Sequence, residues 1–359
     1  MDLIDNYTRY HASKLHGLRI TSSHIQSLIS ELDSDVFNTV VVGYSEEMRP
    51  VYRISIGNGS RKILLWSQMH GDESTATKSI FDLFTYVNIN KFTNVINNLL
   101  HSCTIYFIPI LNPDGAERYT RENCNGLDLN RDAKTLLNSE SRILQEQIEL
   151  INPDFAFNLH DQTAWYNVDQ TDHVATISLL APAADEERTL TESRKKAMSV
   201  IVTMNEVLQS IIPNKVGRYN DSFCESCFGD RIQSFGIPTI LIECGYFPDD
   251  EEREVTRKLH TIVLLQSLIS ISSDNFPNYH DYFKIPVNEK RFYDLKIKNV
   301  SYNGVLTEVG VRFKRIFSES EQKLLKIIDE TETISGNELN DKLFHREIDA
   351  NGTDFNNFC

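Results

Sequence analysis

The stretch KILLWSQMHGDEST (residues 62–75) decides the fold, because an apolar run ends within it and a glycine-broken polar turn begins. The letters ILLW are apolar on consecutive positions, as in strands that are buried on both faces of an α/β sheet. The turn then presents His70, Asp72 and Glu73 ahead of a segment with helical periodicity. Two interpretations are open here: a surface histidine followed by helix-capping acids, or a set of metal ligands.

The same alternation of apolar runs and helix-period segments continues along the chain, and it predicts a sheet covered by helices. The predicted strands are FNTVVVGY, VYRISIG, KILLWSQ, TIYFIPIL, DFAFNLH, ATISLLAP and TILIECGY. The predicted helices are STATKSIFDLFTYVNI, ESRILQEQIELI, RTLTESRKKAMSVIVTMNEVLQSII and DEEREVTRKLHTIVLLQSLISI. Because several strands lack alternation, we expect a parallel or mixed sheet of the α/β class, with helices on both sides.

Composition restricts the class of partner. The chain has 359 residues, of which 40% are hydrophobic, so it is long enough for one large domain and a small one. Its formal net charge of -15 repels phosphate backbones and anionic lipid surfaces, which argues against nucleic acid and membrane partners. The N-terminus resembles no signal peptide and no stretch approaches a membrane span, so we expect a cytoplasmic protein.

The cysteines form no dense framework of the secreted kind, and reduced thiols are therefore expected. They are Cys103, Cys124, Cys224, Cys227, Cys244 and Cys359. Cys224 and Cys227 make one CxxC motif, which would suit half of a zinc site or a redox pair. No second CxxC or histidine pair follows at the spacing of a zinc finger, so a role in chemistry is not expected for this pair.

The amino-acid composition of the chain changes near residue 277, where a segment rich in polar and aromatic residues and containing prolines begins. Short strand-like runs follow over residues 292–300 and 308–317, and SESEQKLLKIIDETE (residues 318–332) has the spacing and the opening serine of a helix. We therefore predict a catalytic domain over residues 1–278. Residues 279–359 are predicted to form a small C-terminal α+β region, and the sequence indicates no role for it.

Three predicted strands end in residues of the types that serve as metal ligands. His70 follows the third strand, His160 ends DFAFNLH, and Glu243 lies near the end of TILIECG. The carboxyl ends of strands in open α/β sheets are where sites are built. Glu73 is close enough to His70 in sequence to bind the same ion, and with His160 the set leaves a fourth position open, as catalytic zinc requires.

Glu243 is the candidate general base and acid. A zinc-activated water needs a group that accepts its proton and passes it to the leaving amine. Because Glu243 follows apolar residues, a desolvated carboxylate with a raised pKa is expected there. The alternative is a buried structural glutamate that pairs with an arginine.

The segment LNPDGAERYTRENCNGLDLNRDA (residues 111–133) concentrates arginines in an otherwise acidic chain. Arg118, Arg121 and Arg131 lie in it, and Asn130 stands beside the last of them. Guanidinium groups match the two oxygens of a carboxylate, so an anionic ligand is one interpretation. The alternative is that these arginines form internal ion pairs with nearby acids, namely Asp114, Glu117, Asp128 or Asp132.

These motifs, taken together, resemble the zinc carboxypeptidases of the carboxypeptidase A type. HGDE is similar to the HxxE element of that family, NPDG to one of its recurring turns, and GLDLNRD to its substrate-loop signature. FNLHD stands where the third ligand is expected, and PTILIECG resembles the strand that carries the catalytic glutamate. The resemblance runs from about residue 40 to 272 in the family's order.

The resemblance implies a mixed eight-stranded sheet flanked by helices, with one zinc ion on His70, Glu73 and His160. It implies further roles for the remaining candidates. Glu243 would act as general base and acid, Arg121 would polarise the scissile carbonyl, Asn130 and Arg131 would bind the terminal carboxylate, and Tyr219 would line the pocket. The form TRENCNGLDLNRD is closer to intracellular and bacterial branches, which include amidases that cut γ-D-glutamyl links in cell-wall peptides.

The expected function is a zinc metallopeptidase, a carboxypeptidase or peptide amidase, whose substrate has a free carboxylate. One alternative is a zinc-dependent N-acyl amino acid deacylase, since that related branch uses a similar ligand set. Another is a metal-free binding protein on the same fold. The side chain preferred at the cleaved position and the oligomeric state are not indicated by the sequence.

Overall fold

The structure is a computed structural model that describes residues 2–334 and 342–355. Its α-helices are α1 (Asp2–Asp5), α2 (Ser22–Ser30), α3 (Thr75–Asn90), α4 (Asn94–Ser102), α5 (Pro113–Arg118), α6 (Ser139–Ile151), α7 (Glu192–Ile211), α8 (Phe228–Ser234) and α9 (Glu254–Ser273). Short 3-10 helices span Tyr7–Arg9, Leu129–Arg131 and Tyr279–Lys284. The strands as far as residue 244 are β1 (Phe37–Tyr44), β2 (Pro50–Ile56), β3 (Arg61–Trp66), β4 (Cys103–Ile108), β5 (Phe155–Asp161), β6 (Tyr166–Val168), β7 (Ile177–Leu180), β8 (Val216–Arg218) and β9 (Thr239–Cys244).

The main sheet has eight strands in the order β1-β2-β4-β3-β5-β9-β7-β8. Strands β4, β3, β5 and β9 are parallel to one another, whereas β2 and β7 run antiparallel to the parallel strands beside them. The predicted mixed eight-stranded sheet is therefore confirmed. The parallel block in the middle brings the carboxyl ends of β3, β5 and β9 to one edge.

Helices cover both faces of this sheet, as the consecutive apolar positions predict. On one face, α3, α7 and α9 pack against each other over a large core that includes Ile80, Ile201 and Ile262. On the other face, α6 and α8 cover a smaller core around Trp66 and Phe228. Burial on both faces leaves the strand ends as the accessible part of the central strands.

The chain continues past residue 278 without leaving the large core. Tyr282 and Ile285, in and just after the 3-10 helix Tyr279–Lys284, are buried in the same cluster as the helices of the main sheet. The domain boundary proposed at residue 278 stays a prediction, but the core of the main sheet extends beyond it.

The remaining strands are β10 (Asn288–Lys290), β11 (Phe292–Tyr293), β12 (Leu295–Tyr302), β13 (Val305–Ser318), β14 (Lys323–Ile334), β15 (Leu343–Phe344) and β16 (Glu347–Asp349). We call residues 288–334 and 342–355 the C-terminal β region. Its four-stranded sheet, in the order β14-β13-β12-β16, has its own apolar core around Ile297 and Val309. Strand β10 pairs instead with β6 of the catalytic part.

The helix predicted over residues 318–332 is wrong. Those residues form the turn after β13 and most of β14, and β14 pairs with β13 along its length. The apolar spacing of Leu324, Leu325, Ile327 and Ile328 fits a helix equally well, but the preceding strand supplies the pairing partner that decides between the two structures. The described part of the C-terminal β region contains no α-helix.

The expectation of reduced thiols is wrong for one pair, since Cys224 and Cys227 form a disulfide. Cys103, Cys124 and Cys244 are free, and Cys359 lies outside the described residues. Among the residues that the structure describes, no helix combines the length and the apolar character needed to cross a bilayer. The cytoplasmic location stays a prediction.

Candidate metal centre and substrate site

The ends of β3 and β5 bring three of the predicted ligands together. His70 follows β3 in a turn that Glu73 closes, because the Glu73 N–H donates to the His70 carbonyl at 3.2 Å just before α3 begins. His160 is at the end of β5, the parallel neighbour of β3. All three side chains are buried. Two adjacent strands thus deliver both histidines and the carboxylate to one point of the sheet edge.

Glycine at position 71 lets this turn pack closely. A Cβ atom there would lie 2.0 Å from the carbonyl carbon of Gly115, in the NPDG turn. That turn is fixed by Asn112, whose Oδ1 accepts from the Gly115 N–H at 2.9 Å and whose Nδ2 donates to the Met69 carbonyl. The two motifs quoted from the sequence are therefore in direct contact, and no larger residue fits at position 71.

The three ligand side chains face one another. Nδ1 of His70 lies 2.8 Å from Oε1 of Glu73, Nδ1 of His160 lies 2.8 Å from Oε2 of Glu73, and the two Nδ1 atoms are 3.2 Å apart. Ligand atoms around a tetrahedral zinc ion, bonded at about 2.0–2.1 Å, are separated by roughly 3.3 Å. The triad is therefore close to the size that a zinc ion requires, and a small outward movement of the side chains would complete it.

Asp128 orients His70. Its Oδ1 atom lies 3.0 Å from Nε2 of His70, so this nitrogen donates to the carboxylate and Nδ1 is the ring atom that faces Glu73. Nε2 of His160 is buried and has no hydrogen-bond partner among the described residues, which again leaves Nδ1 as the atom directed at Glu73. From the sequence, Asp128 is expected only as an ion-pair partner of the arginines, and its position two residues before Asn130 is the signal that would have identified it.

The metal-free triad is held together by charge. Burial alone would raise the pKa of Glu73, but the two neighbouring histidines outweigh it and hold this pKa well below its usual range. Burial alone would lower the pKa of His70. Glu73 and Asp128 outweigh burial and raise this pKa to about 9. His160 stays neutral, because burial lowers its pKa. Without a metal ion, these shifts favour an ionised Glu73 beside a protonated His70.

Glu243 lies beside His160 on the neighbouring parallel strand β9. The two residues are in register, and adjacent strands are about 4.8 Å apart. Burial and the nearby Glu73 carboxylate raise the pKa of Glu243 well above its usual value. Among the described residues, Arg121 pairs with Glu73 and Asp128, and no ion pair reaches Glu243. The role of Glu243 stays a prediction.

The arginines of residues 111–133 separate into two kinds. Arg118 pairs with Glu47, an acid that the sequence analysis did not consider, and it makes no contact with the triad. Arg121 reaches the site, with Nη1 at 3.2 Å from Oε1 of Glu73 and Nε at 3.1 Å from Oδ2 of Asp128. Its side chain is 40% exposed, so the guanidinium borders both the triad and solvent.

Asn130 and Arg131 belong to the 3-10 helix Leu129–Arg131, which Asp128 caps by accepting from the Asn130 N–H at 2.8 Å. Oδ1 of Asn130 accepts from the Phe228 N–H at 3.0 Å, and this fixes the amide with Nδ2 as its remaining donor. Arg131 is exposed, donates to the Asn130 carbonyl and contacts Sγ of Cys227 at 3.1 Å. In the described residues, no carboxylate pairs with Arg131.

Tyr219 follows β8 and lies on the same side of the site as Glu243. Burial raises the pKa of the Tyr219 hydroxyl, and the Glu243 carboxylate raises it further. Its hydroxyl is 2.9 Å from the hydroxyl of Tyr166, a residue that the sequence analysis did not single out. The structure therefore brings Arg121 and Asp128 into contact with the triad and places Glu243 in register with His160. It adds Asp128 and Tyr166 to the residues expected from the sequence.

Comparison with known families matches residues 24–176 to the family described as zinc carboxypeptidase. Among curated proteins, carboxypeptidase D of Mus musculus is 28% identical over an alignment that covers 32% of this chain and 9% of that protein. The chain thus spans about a tenth of the length of that relative. The resemblance identified from the sequence is confirmed.

Solved structures share the fold. A metallo-carboxypeptidase from Burkholderia cenocepacia superposes with a TM-score of 0.58 and 18% identity, over 71% of this chain and 70% of that one. A metallo-carboxypeptidase from Pseudomonas aeruginosa, in complex with (2-guanidinoethylmercapto)succinic acid, gives a TM-score of 0.56 and 15% identity over 70% and 69% of the two chains. Zinc carboxypeptidases use one zinc ion, and the triad is able to bind a metal. The family match thus covers residues 24–176, and the solved structures show a shared fold.

Proposed function

We propose that this chain is a zinc-dependent carboxypeptidase that hydrolyses the C-terminal bond of peptides with a free terminal carboxylate. One observation carries the proposal: a single carboxylate, Asp128, both orients His70 and caps the turn that presents Asn130 and Arg131. Asp128 thereby connects the metal site to a guanidinium that has no carboxylate partner in the described residues. Such an arrangement suits a substrate whose cleaved bond lies next to its terminal carboxylate.

When zinc is bound by His70, Glu73 and His160, it supplies Lewis-acid activation of water and of the scissile carbonyl. The protein's own groups account for the proton transfers. Glu243 has no ion-pair partner in the described residues and a raised pKa, so its carboxylate is suited to accept a proton from water and donate it to the leaving nitrogen. This is the role that we propose for Glu243.

Arg121 is suited to stabilise negative charge that develops on the carbonyl oxygen. Its guanidinium is anchored on Asp128 and lies at the solvent side of the triad. Fixed donors that point toward a developing oxyanion contribute more than mobile ones, because they need little reorganisation. We propose that Arg121 polarises the scissile carbonyl.

Asn130 and Arg131 are proposed to bind the terminal carboxylate. Two features of their geometry support this role: the Asn130 amide is fixed with its NH₂ group as donor, and the Arg131 guanidinium has no carboxylate partner in the described residues. The Pseudomonas neighbour is in complex with a succinic acid derivative, a ligand that also carries carboxylates. Tyr219 is proposed to line the adjoining pocket.

The test compares peptides that differ only at their C-terminus. Amidation of the terminal carboxylate should cost about 2–5 kcal/mol in kcat/KM, the scale for leaving a charged partner unpaired. Arg131→Ala should remove most of this discrimination. Arg118→Ala is the matched control, since Arg118 pairs with Glu47 instead, and it should keep the discrimination. Equal rates on free-acid and amidated peptides would contradict the carboxypeptidase proposal.

The same assay separates the alternative substrates. A blocked dipeptide, an N-acyl amino acid and a γ-D-glutamyl peptide each have a terminal carboxylate but differ in the group that is released. Turnover confined to the N-acyl amino acid would identify a deacylase, and turnover confined to the γ-D-glutamyl peptide would identify a cell-wall peptide amidase. A zinc-free protein that cleaves none of the three would be a binding protein on this fold.

A further inference from the structure

The C-terminal β region lies outside the family match. It contacts the chain segment between His160 and β6. The centre of this contact is Trp165, which is only 8% exposed. Its indole Nε1 donates to Oδ2 of Asp294 at 3.0 Å, and its carbonyl accepts from the Phe292 N–H at 3.0 Å. The ammonium of Lys290 lies 4.4 Å from the centre of the ring, within range of a cation–π contact. Both backbone and side chain of Trp165 are therefore fixed by the C-terminal β region.

A second contact holds the residue before it. Nε2 of His345 lies 2.7 Å from the Ala164 carbonyl, and the His345 ring stacks on Phe292 with centres 4.4 Å apart. The His345 ring also contacts the ring of Tyr246, three residues after Glu243, with centres 4.4 Å apart. The C-terminal β region therefore touches the chain just after each of the two strands that bear His160 and Glu243.

Tyr166 is the next residue along the held segment. It pairs with Lys290 in the short β6–β10 ladder, and its hydroxyl lies 2.9 Å from the hydroxyl of Tyr219. The N–H of Tyr219 donates to the Leu179 carbonyl at 3.0 Å, on a strand whose neighbouring residue Ser178 is in register with Glu243. A continuous set of contacts thus runs from the C-terminal β region through Tyr166 to Tyr219 and the edge that bears Glu243.

We propose that the C-terminal β region is a positioning element of the substrate site: it fixes Tyr166, whose hydroxyl holds Tyr219 beside Glu243. Tyr219 stands on a loop after a three-residue strand, and Tyr166 contacts it through both the hydroxyl, at 2.9 Å, and the ring, with centres 5.5 Å apart. A hydrogen bond from a fixed neighbour selects one orientation before substrate binds, which reduces the entropic cost of binding. This inference rests on the proposed carboxypeptidase function, and Tyr166 acts in it through Tyr219 and does not touch the reacting atoms.

The experiment is a double-mutant cycle on the zinc-loaded, full-length protein. Tyr166→Phe, Tyr219→Phe and the double variant are compared with the wild type for kcat, KM and zinc content. Because Tyr166→Phe removes one hydrogen bond to Tyr219, we expect it to lower kcat/KM by roughly two- to tenfold. The zinc content should stay unchanged. In the Tyr219→Phe background the same substitution should have almost no effect, because the hydroxyl it acts on is already absent.

Two further variants connect the effect to the C-terminal β region. Trp165→Phe removes the donor to Asp294 but keeps an aromatic ring, and we expect a smaller loss of kcat/KM that also disappears in the Tyr219→Phe background. Tyr302→Phe is the matched control: its hydroxyl is 3.3 Å from Oγ1 of Thr331, within the C-terminal sheet and without contact to Tyr166 or Tyr219. It should leave kcat and KM at wild-type values.

The proposal is overturned if Tyr166→Phe has the same effect with and without the Tyr219 hydroxyl, or if Tyr302→Phe lowers kcat/KM equally. A wild-type protein that binds zinc but cleaves no peptide would instead refute the proposed function. The pairing is then tested without activity, by the melting temperatures of the same four proteins. Additive shifts there would refute the Tyr166–Tyr219 contact as well, and non-additive shifts would support it.

Discussion

The eight-stranded sheet and the C-terminal sheet bury their residues in different ways. In the first, β5 is buried at every position from Phe155 to His160, because helices cover both faces. In the second, β14 is exposed or half-buried along nearly its whole length, and only Ile334 is buried. A strand that is covered on both faces can present functional groups only at its ends, and that is where His70, His160 and Glu243 lie.

The two regions also treat charge differently. In the C-terminal sheet charges are paired locally, as in Arg312 with Glu330 at 2.8 Å and Lys314 with Asp329 at 2.8 Å. At the edge of the main sheet Glu73 and Asp128 share the guanidinium of Arg121, and both carboxylates raise the pKa of His70 to about 9. The C-terminal sheet thus neutralises its charges in local pairs, whereas the edge of the main sheet has the arrangement of ligands that a cation requires.

The largest expected effect breaks the metal site. The double variant His70→Ala, His160→Ala removes two of three ligands and should lose stoichiometric zinc and all peptidase activity. Metal analysis of the purified protein checks this, with Arg118→Ala as a control that should keep one zinc per chain. Stoichiometric zinc in the double variant would show that the ion binds elsewhere.

Glu243→Gln should lower kcat by roughly 10² to 10⁴, the usual contribution of a general acid and base. Glutamine keeps the shape of the side chain but accepts no proton, so zinc content should stay at the wild-type value. If Glu243 were a structural charge, the variant would instead melt at a lower temperature and keep its turnover. Measuring kcat, zinc and melting on one variant distinguishes the two outcomes.

Substitutions in the core of the C-terminal sheet should lower the free energy of unfolding and leave the metal site unchanged. Ile297 is 1% exposed in its core, so Ile297→Ala should cost about 2–5 kcal/mol of unfolding free energy, while zinc content stays unchanged. Lys298→Ala, at the next position, removes only an exposed ion pair with Glu347 and should leave the unfolding free energy nearly unchanged. Denaturant unfolding checks both. Zinc loss in Ile297→Ala would contradict the separation of the two regions.

The smallest effect concerns pH. Because the pKa of His70 is raised to about 9 in the metal-free protein, zinc must displace a proton from this ring at neutral pH. Apparent zinc affinity should therefore rise about tenfold per pH unit up to about pH 9 and then level off. Competition with a chelator across that range measures it. A flat profile below pH 9 would show that neutral His70 already predominates there.

Much of the candidate site was predictable because its signals are local. A histidine or glutamate that directly follows a run of apolar residues is assigned to a strand end from a few neighbouring letters, as for His160 and Glu243. The turns around His70 and Asn112 are likewise indicated by the glycine and proline residues in them. The helix predicted over residues 318–332 failed for the opposite reason, since the same apolar spacing suits a helix or a strand and only pairing with β13 decides.

The sequence by itself determined the fold class, the ligand types and the order of the motifs, because each depends on residues close together in the chain. Tertiary structure alone decided which groups meet across long separations. His70 and Asp128 are 58 residues apart, and Tyr166 and Tyr219 are 53 apart, yet each pair is in hydrogen-bond contact. It also decided that the C-terminal β region lies against the site. No local pattern encodes such contacts, because they depend on the path of the whole chain through the packed sheet and helices.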